Sequence, residues 1–307
     1  MDRKRGQIMF RLFRKIKNKI FFGIMGLISA GTTISNALTG CSGQIKSLIP
    51  EKITEAFNST SDFEVHFIDV GQGDAALIKC DDKYMLIDAG ENDKGTLVQN
   101  YLEKQGVDKL DILVGTHPDS DHIGGLDVII TKFECKTILM PDCEKDTATY
   151  RDVIDAITYK NYSITYPEVG EVYSLGEAII TVLAPSYYYE DTNNNSIVLK
   201  VSYGESDFLF MGDAEIESEQ AILNSDFNLD CEVIKMGHHG SSTSNSEELI
   251  RAVSPDYSII SCGENNSYGH PHYETLELID TYNITNYRTD KDGTIIAISD
   301  GKDIRFK

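Results

Sequence analysis

From residue 63 onward the apolar residues fall into short runs separated by glycine, asparagine and aspartate, a spacing that suits strands of four to eight residues. Strands are predicted at 64–67, 75–80 and 84–87, followed by a helix near 95–105, a buried strand starting at Leu110 and a helix over 126–133. A second half repeats the order, with strands at 178–183, 196–201 and 208–211, a helix over 215–224, and a strand starting at Cys231. A strand at 257–261 and a helix over 274–282 complete it. Two successive mixed halves, with no internal repeat between them, imply one α/β domain over residues 63–303. Its expected architecture is a four-layer αββα sandwich, helix over sheet over sheet over helix. Roughly 240 residues can bury a sizeable core in a single domain.

The first 40 residues follow another pattern. Residues 1–19 carry eight Lys or Arg and one acidic residue, and Ile20–Ala30 is apolar. This reads as an export signal outside the fold. The segment ends in Leu38-Thr39-Gly40-Cys41, which resembles a bacterial lipobox with Cys41 as the lipid-modified residue. The competing reading is an uncleaved anchor, since Ile20 to Leu38 is nineteen residues, about a bilayer's worth of helix. Both readings put the body on the extracytoplasmic face of a bacterial membrane, with residues 41–62 as a tether.

The chain has 28 basic and 49 acidic residues, and from residue 41 onward 20 and 48, a net of −28 with histidine neutral. Such a body repels polyanions and gains little from counterion release, which tells against tight nonspecific duplex binding. Bound cations would reverse the field locally, so a nuclease is not excluded. Of six cysteines, Cys41 is assigned to the lipid. The odd number left fits no disulfide framework or zinc ribbon, although Cys135 and Cys143 are spaced to close a loop.

The chemistry concentrates in Thr116-His-Pro-Asp-Ser-Asp-His-Ile-Gly-Gly125. His117, Asp119, Asp121 and His122 each offer a lone pair to a metal from one strand-to-helix loop, and a helix cap would need only one such residue. Their nitrogen and oxygen donors suit zinc or manganese. Distant partners follow at Gly212-Asp213, Gly237-His-His-Gly-Ser241 and Tyr268-Gly-His270-Pro271, each metal-capable side chain beside a glycine.

These motifs, preceded by Asp69-Val-Gly-Gln-Gly-Asp74 and Leu86-Ile-Asp88-Ala-Gly90, resemble the metallo-β-lactamase superfamily. Within it they are most similar to the hydrolase domain of the ComEC-type competence proteins, from about Phe63 to Ile298. The resemblance implies a metallo-β-lactamase fold and two divalent metal ions, Zn2+ or Mn2+. It makes His117, Asp119, Asp121, His122 and Asp213 ligands, with Asp213 bridging. It also implies one late ligand from His238 or His239, and His270 as a further ligand or proton donor. Asp88 is the carboxylate expected to orient a ligand histidine, and Asp74 is a candidate for a similar role. The sequence departs from the superfamily pattern at Asp119, where most members have histidine, and at Asn193–Asn195, where many have another. The first position thereby becomes richer in oxygen, which shifts the expected ion towards manganese.

Three other stretches read two ways. The turn at 69–74 either presents amides to an anion or is a plain hairpin turn. Tyr187–Tyr189 either stacks on a substrate or packs over a sheet edge. Ser241–Ser244 either meets a phosphate or caps the next helix. The function implied is a binuclear hydrolase, with Asp121 and His270 in the reaction and a phosphodiester, including DNA, as the leading substrate. A small ester, lactam, lactone or lipid-linked phosphodiester is the alternative. A surface binding module with a structural metal is the non-enzymatic alternative, disfavoured because structural sites are usually closed and cysteine-rich.

Overall fold

The computed structural model describes residues 63–307. The leader, Cys41 and the tether therefore lie outside the described residues. The chain opens with β1 (Phe63–Phe67), β2 (Ala76–Cys80) and β3 (Lys83–Ile87), then α1 (Gly95–Lys104) and β4 (Lys109–Val114). Next come α2 (Ser120–Ile123), α3 (Leu126–Lys132), β5 (Glu134–Leu139), α4 (Ala148–Tyr159) and β6 (Ile164–Thr165). The second half holds β7 (Val172–Leu175), β8 (Ala178–Ala184), β9 (Val198–Tyr203), β10 (Ser206–Phe210), α5 (Ile216–Leu223) and β11 (Val233–Lys235). It continues with α6 (Glu247–Val253), β12 (Tyr257–Ile260), α7 (Tyr273–Tyr282), β13 (Thr285–Arg288), α8 (Thr289–Asp292), β14 (Ile295–Ser299) and β15 (Ile304–Phe306).

These strands form two mixed sheets, ordered β15-β14-β1-β2-β3-β4-β5-β6 and β13-β12-β11-β10-β9-β8-β7. Alternation along the strands explains the layers, because successive side chains point to opposite faces. Phe63, Val65, Phe67, Met85, Ile87, Ile112 and Val114 of the first sheet share one buried cluster with Val182, Leu199, Val201, Phe208, Phe210, Val233 and Ile259 of the second. Phe63 stacks on Tyr203 with ring centroids 4.9 Å apart. The alternate residues face outward under helices. Leu77, Leu86 and Leu113 pack with Val98 and Leu102 of α1, Ile129 of α3 and Val153 of α4. Leu209, Ile234 and Ile260 pack with Ile222 of α5, Leu249 of α6 and Ile279 of α7. Strands covered on both faces read as continuous apolar runs, which is why β4 and β10 stand out in the sequence.

The αββα expectation holds, with one topological difference. The two halves are not separate sheets in chain order, because β14 pairs antiparallel with β1 and β15 with β14, returning the chain end to the first sheet. The body thus runs past residue 303 into β15. Among the described residues no helix is long and apolar enough to cross a membrane. Cys135 and Cys143 are both buried and unbonded, so they close no loop.

Candidate metal centre

The ligand-capable side chains lie just beyond the C-terminal ends of β3, β4, β10 and β11. These strands are parallel within each sheet (β3 with β4, β10 with β11), so their exits gather on one side. The loop after β4 is fastened across the sandwich by a hydrogen bond from the Ile197 amide to the Thr116 carbonyl, 2.9 Å. Gly212, which leads into Asp213, has φ +53° and would bring a Cβ 3.0 Å from Ser196 and 3.3 Å from Thr116, so a glycine there lets β10 end against the ligand loop.

Asp213 is the centre. Its Oδ1 lies 3.1 Å from His122 Nε2, and its Oδ2 lies 3.5 Å from His239 Nε2, 3.7 Å from His238 Nε2 and 3.9 Å from His117 Nε2. Asp121 Oδ2 is 3.1 Å from His239 Nε2, and Asp119 Oδ1 is 4.0 Å from His117 Nε2. Asp74, His122, Asp213 and His239 each place a ligand-capable atom within 4.8 Å of the others, and all four are buried.

His117 Nε2, His122 Nε2 and Asp213 Oδ1 are buried with no hydrogen-bond partner. Orphaned buried polar atoms are costly, and a shared cation satisfies imidazole nitrogens and carboxylate oxygens together. The residues therefore fit divalent metal. Asp119, Asp121 and His238, with side chains 27 %, 23 % and 22 % exposed, mark the side of the site open to solvent.

The Nδ1 sides of the histidines are held from behind. Asp88, fully buried with φ 59°, lies 2.8 Å from His122 Nδ1 and accepts from the Thr116 amide at 2.8 Å and the Thr116 hydroxyl at 2.7 Å. Asp88 thus joins the ring of His122 to the start of the loop that follows β4. His239 Nδ1 lies 3.0 Å from the Ser261 carbonyl and 3.3 Å from Asp74 Oδ1, while Asp74 Oδ2 pairs with Lys235 at 2.7 Å. Asp74 therefore sits on the Nδ1 side of His239, with the other ring nitrogen facing Asp121 and Asp213.

The loop 68–75 is a hairpin connection, but not a free turn. The Asp74 amide donates to the Asp121 carbonyl at 3.1 Å, and a Cβ on Gly73 would meet that same oxygen at 2.3 Å. Gly73 therefore serves close packing on the ligand loop, whereas a Cβ on Gly71 would meet nothing within 4 Å.

The charges follow from this packing. Burial works against ionised carboxylates, yet His122 and His239 hold Asp213 well below the usual carboxylate range. Asp121 is also lowered: burial opposes ionisation, but His239 and His122 outweigh it. Burial alone would favour neutral His239, but Asp213, Asp121 and Asp74 lift it to about 10. Burial, then the neighbouring His239 and His238, push His270 down to about 4.

His270 stands apart from the cluster. Its ring stacks on Tyr268, centroids 5.6 Å apart, and lies 5.3 Å from that of His238, with Nδ1 buried and unpartnered. Asn193–Asn195 form a short 3-10 turn with structural bonds: Asn194 Oδ1 accepts from the Glu215 and Ser218 amides. Ser241–Ser244 do not cap α6. Ser246 does, accepting from the Leu249 amide, and the Ser242 amide instead meets His272 Nδ1 at 2.9 Å. Tyr187 and Tyr188 are exposed, while Tyr189 is half-buried and its amide donates to Asn195 Oδ1 at 3.1 Å.

Four residues at the site lay outside the sequence reading. Thr116 and Glu215 sit one and two positions from singled-out ligands. Lys145 pairs with Asp119 at 2.7 Å. Lys235 carried a signal, since a lysine inside the apolar run Val-Ile-Lys-Met must find a buried counter-charge.

An αββα sandwich with a buried His/Asp cluster at its strand ends defines a metal-binding protein of one architecture. The sequence profile of the metallo-beta-lactamase superfamily matches residues 68–264, and the chain belongs to that superfamily. Curated relatives include ComE operon protein 3 of Bacillus subtilis, 32 % identical over 77 % of this chain and 33 % of that protein. Recombination protein 2 of Haemophilus influenzae is 31 % identical over 72 % of this chain and 27 % of its own length. Competence protein ComA of Neisseria gonorrhoeae is 30 % identical over 74 % and 31 %. The chain thus spans about a third of each of these relatives. Among solved structures, the metallo-beta-lactamase fold protein YhfI of Bacillus subtilis aligns over 80 % of this chain and all of its own, with TM-score 0.53 and 11 % identity, a likeness of fold.

Proposed function

We propose that the protein is a binuclear metal-dependent phosphodiesterase, tethered through Cys41 to the outer face of a bacterial membrane. The observation that carries the hydrolase reading is Asp213, which presents its two carboxylate oxygens to different histidines whose facing nitrogens are otherwise unsatisfied. His117, Asp119, Asp121, His122, Asp213 and His239 would hold the ions, with Asp213 shared. Divalent cations bound there supply a water of lowered pKa and stabilise developing oxyanion charge.

The chain's own groups do the rest. Asp88 and Asp74 fix the directions of His122 and His239. Asp121, on the open side, orients the nucleophilic water. His270, beside His238 with its Nδ1 buried and unpartnered, is the group that meets the leaving oxygen. The phosphodiester, with DNA foremost, is taken from the two relatives named for recombination and competence.

The surplus of acidic residues favours a second reading, a small ester, lactam, lactone or lipid-linked phosphodiester. Hydrolysis of single-stranded DNA, a bis-aryl phosphodiester and a β-lactam, each with manganese, separates the two. Cleavage of DNA and the diester supports the proposal, and turnover of the lactam alone overturns it.

A further inference from the structure

His238 and His239 are adjacent, both in left-handed backbone with φ 48° and 54°. That conformation costs energy for a non-glycine residue, and two in succession turn both rings towards Asp213. The rings do not duplicate each other. Each has its own carboxylate on the Nδ1 side, Asp74 at 3.3 Å from His239 and Glu215 at 3.1 Å from His238. Together with Asp88 behind His122 at 2.8 Å, the arrangement carboxylate, imidazole, Asp213 occurs three times.

Glu215 is itself held in place. Its Oε1 accepts from the Thr243 hydroxyl at 2.8 Å and the Asn193 amide at 3.2 Å, and its backbone amide donates to Asn194. A surface glutamate has no need of such fixing. An imidazole that must keep one nitrogen aimed at a cation does. The opposite nitrogen of His238 approaches Asp213 Oδ2, the oxygen that also faces His117 Nε2, which is fully buried and unpartnered.

We infer that both late histidines bind metal, each serving a different ion: His239 joins Asp121, His122 and Asp213, while His238 joins His117, Asp119 and Asp213. Glu215 is the positioning residue that orients His238. This assignment rests on the binuclear reading and deepens it. It makes the oxygen-rich position at Asp119 a four-donor site, with nitrogen from two histidines.

The test is metal binding by the full chain, stripped with chelator and titrated with Mn2+, with free ion counted by its paramagnetic resonance signal. Wild type is expected to take up two ions. His238→Ala and Glu215→Gln should each weaken one ion by about 10–100-fold and leave the other unchanged. Glu215→Asp should recover part of that loss. His239→Ala should weaken the other ion.

Far-ultraviolet circular dichroism of each stripped variant checks that the fold is intact, and the near-isosteric Glu215→Gln keeps the test open should His238→Ala not fold. Two ions in wild type with unchanged titrations for both His238→Ala and Glu215→Gln would overturn the assignment and leave the binuclear reading standing. A wild type that binds no ion would overturn both.

Discussion

Asp88 and His122, 34 residues apart in the chain, meet at 2.8 Å with both side chains fully buried. One carboxylate thereby fixes the ring direction of His122 and, through the Thr116 amide and hydroxyl, the start of the ligand loop. Asp88→Asn keeps the size and removes the charge. Metal affinity should fall about 10–100-fold, measured by titration of the stripped protein, with little change in circular dichroism. Unchanged affinity would show that the loop backbone alone sets the ring.

Asp213→Ala should reduce hydrolysis to background and lower the metal content below two per chain, because among the described residues Asp213 is the carboxylate that faces both His122 and His117. Elemental analysis beside the activity panel checks both. Full activity on any substrate would remove the mechanism.

Gly73→Ala tests the contact between the 68–75 loop and Asp121. With φ +124° and the Asp121 carbonyl 2.3 Å from a new Cβ, the substitution should cost about 1–3 kcal/mol in denaturant unfolding. It should also weaken metal binding, since the loop must push Asp121 away. Gly293→Ala, with nothing within 4 Å of its Cβ, is the control for left-handed strain without a clash.

His66 of β1 provides a pH dependence away from the metal ligands. Burial pushes it below its ordinary value of 6.5, although Glu64 pulls the other way. The folded state thus prefers the neutral ring, and the unfolded chain takes up the proton first. The stabilisation this gives is complete above about pH 6.5 and is lost as pH falls through the folded value. The difference in melting temperature between wild type and His66→Gln should shrink from pH 7.5 to 5.5. A constant difference would mean that the bonds to Tyr101 and Glu64 hold His66 equally in both charge states.

Cys41→Ala tests the tether. The variant should leave the membrane fraction if Cys41 carries lipid, whereas identical partitioning of variant and wild type would point to an uncleaved anchor.

The chain itself determined whatever depends on neighbours in sequence. His117, Asp119, Asp121 and His122 were legible because one strand-to-helix turn holds them all, and Asp213 because it follows an apolar run and a glycine. Alternation along β1 and the continuous apolar runs of β4 and β10 mark covered strands, so the layered fold was legible as well. Short or mostly exposed elements such as β6, β7, β13 and β15 left no such pattern, and β5 and α4 lay in a stretch without motifs.

Tertiary structure alone decided the pairings. Nothing near His122 announces Asp88, nothing near His239 announces Asp74, and Glu215 becomes a partner of His238 only where the ends of β10 and β11 lie side by side. The return of β14 to β1 was equally hidden, because strand order depends on which edges find one another across the whole chain. Local sequence specifies backbone conformation and the face that turns inward. The direction in which a buried imidazole points is set by a carboxylate delivered from another strand, and only the folded sandwich brings the two within a hydrogen bond.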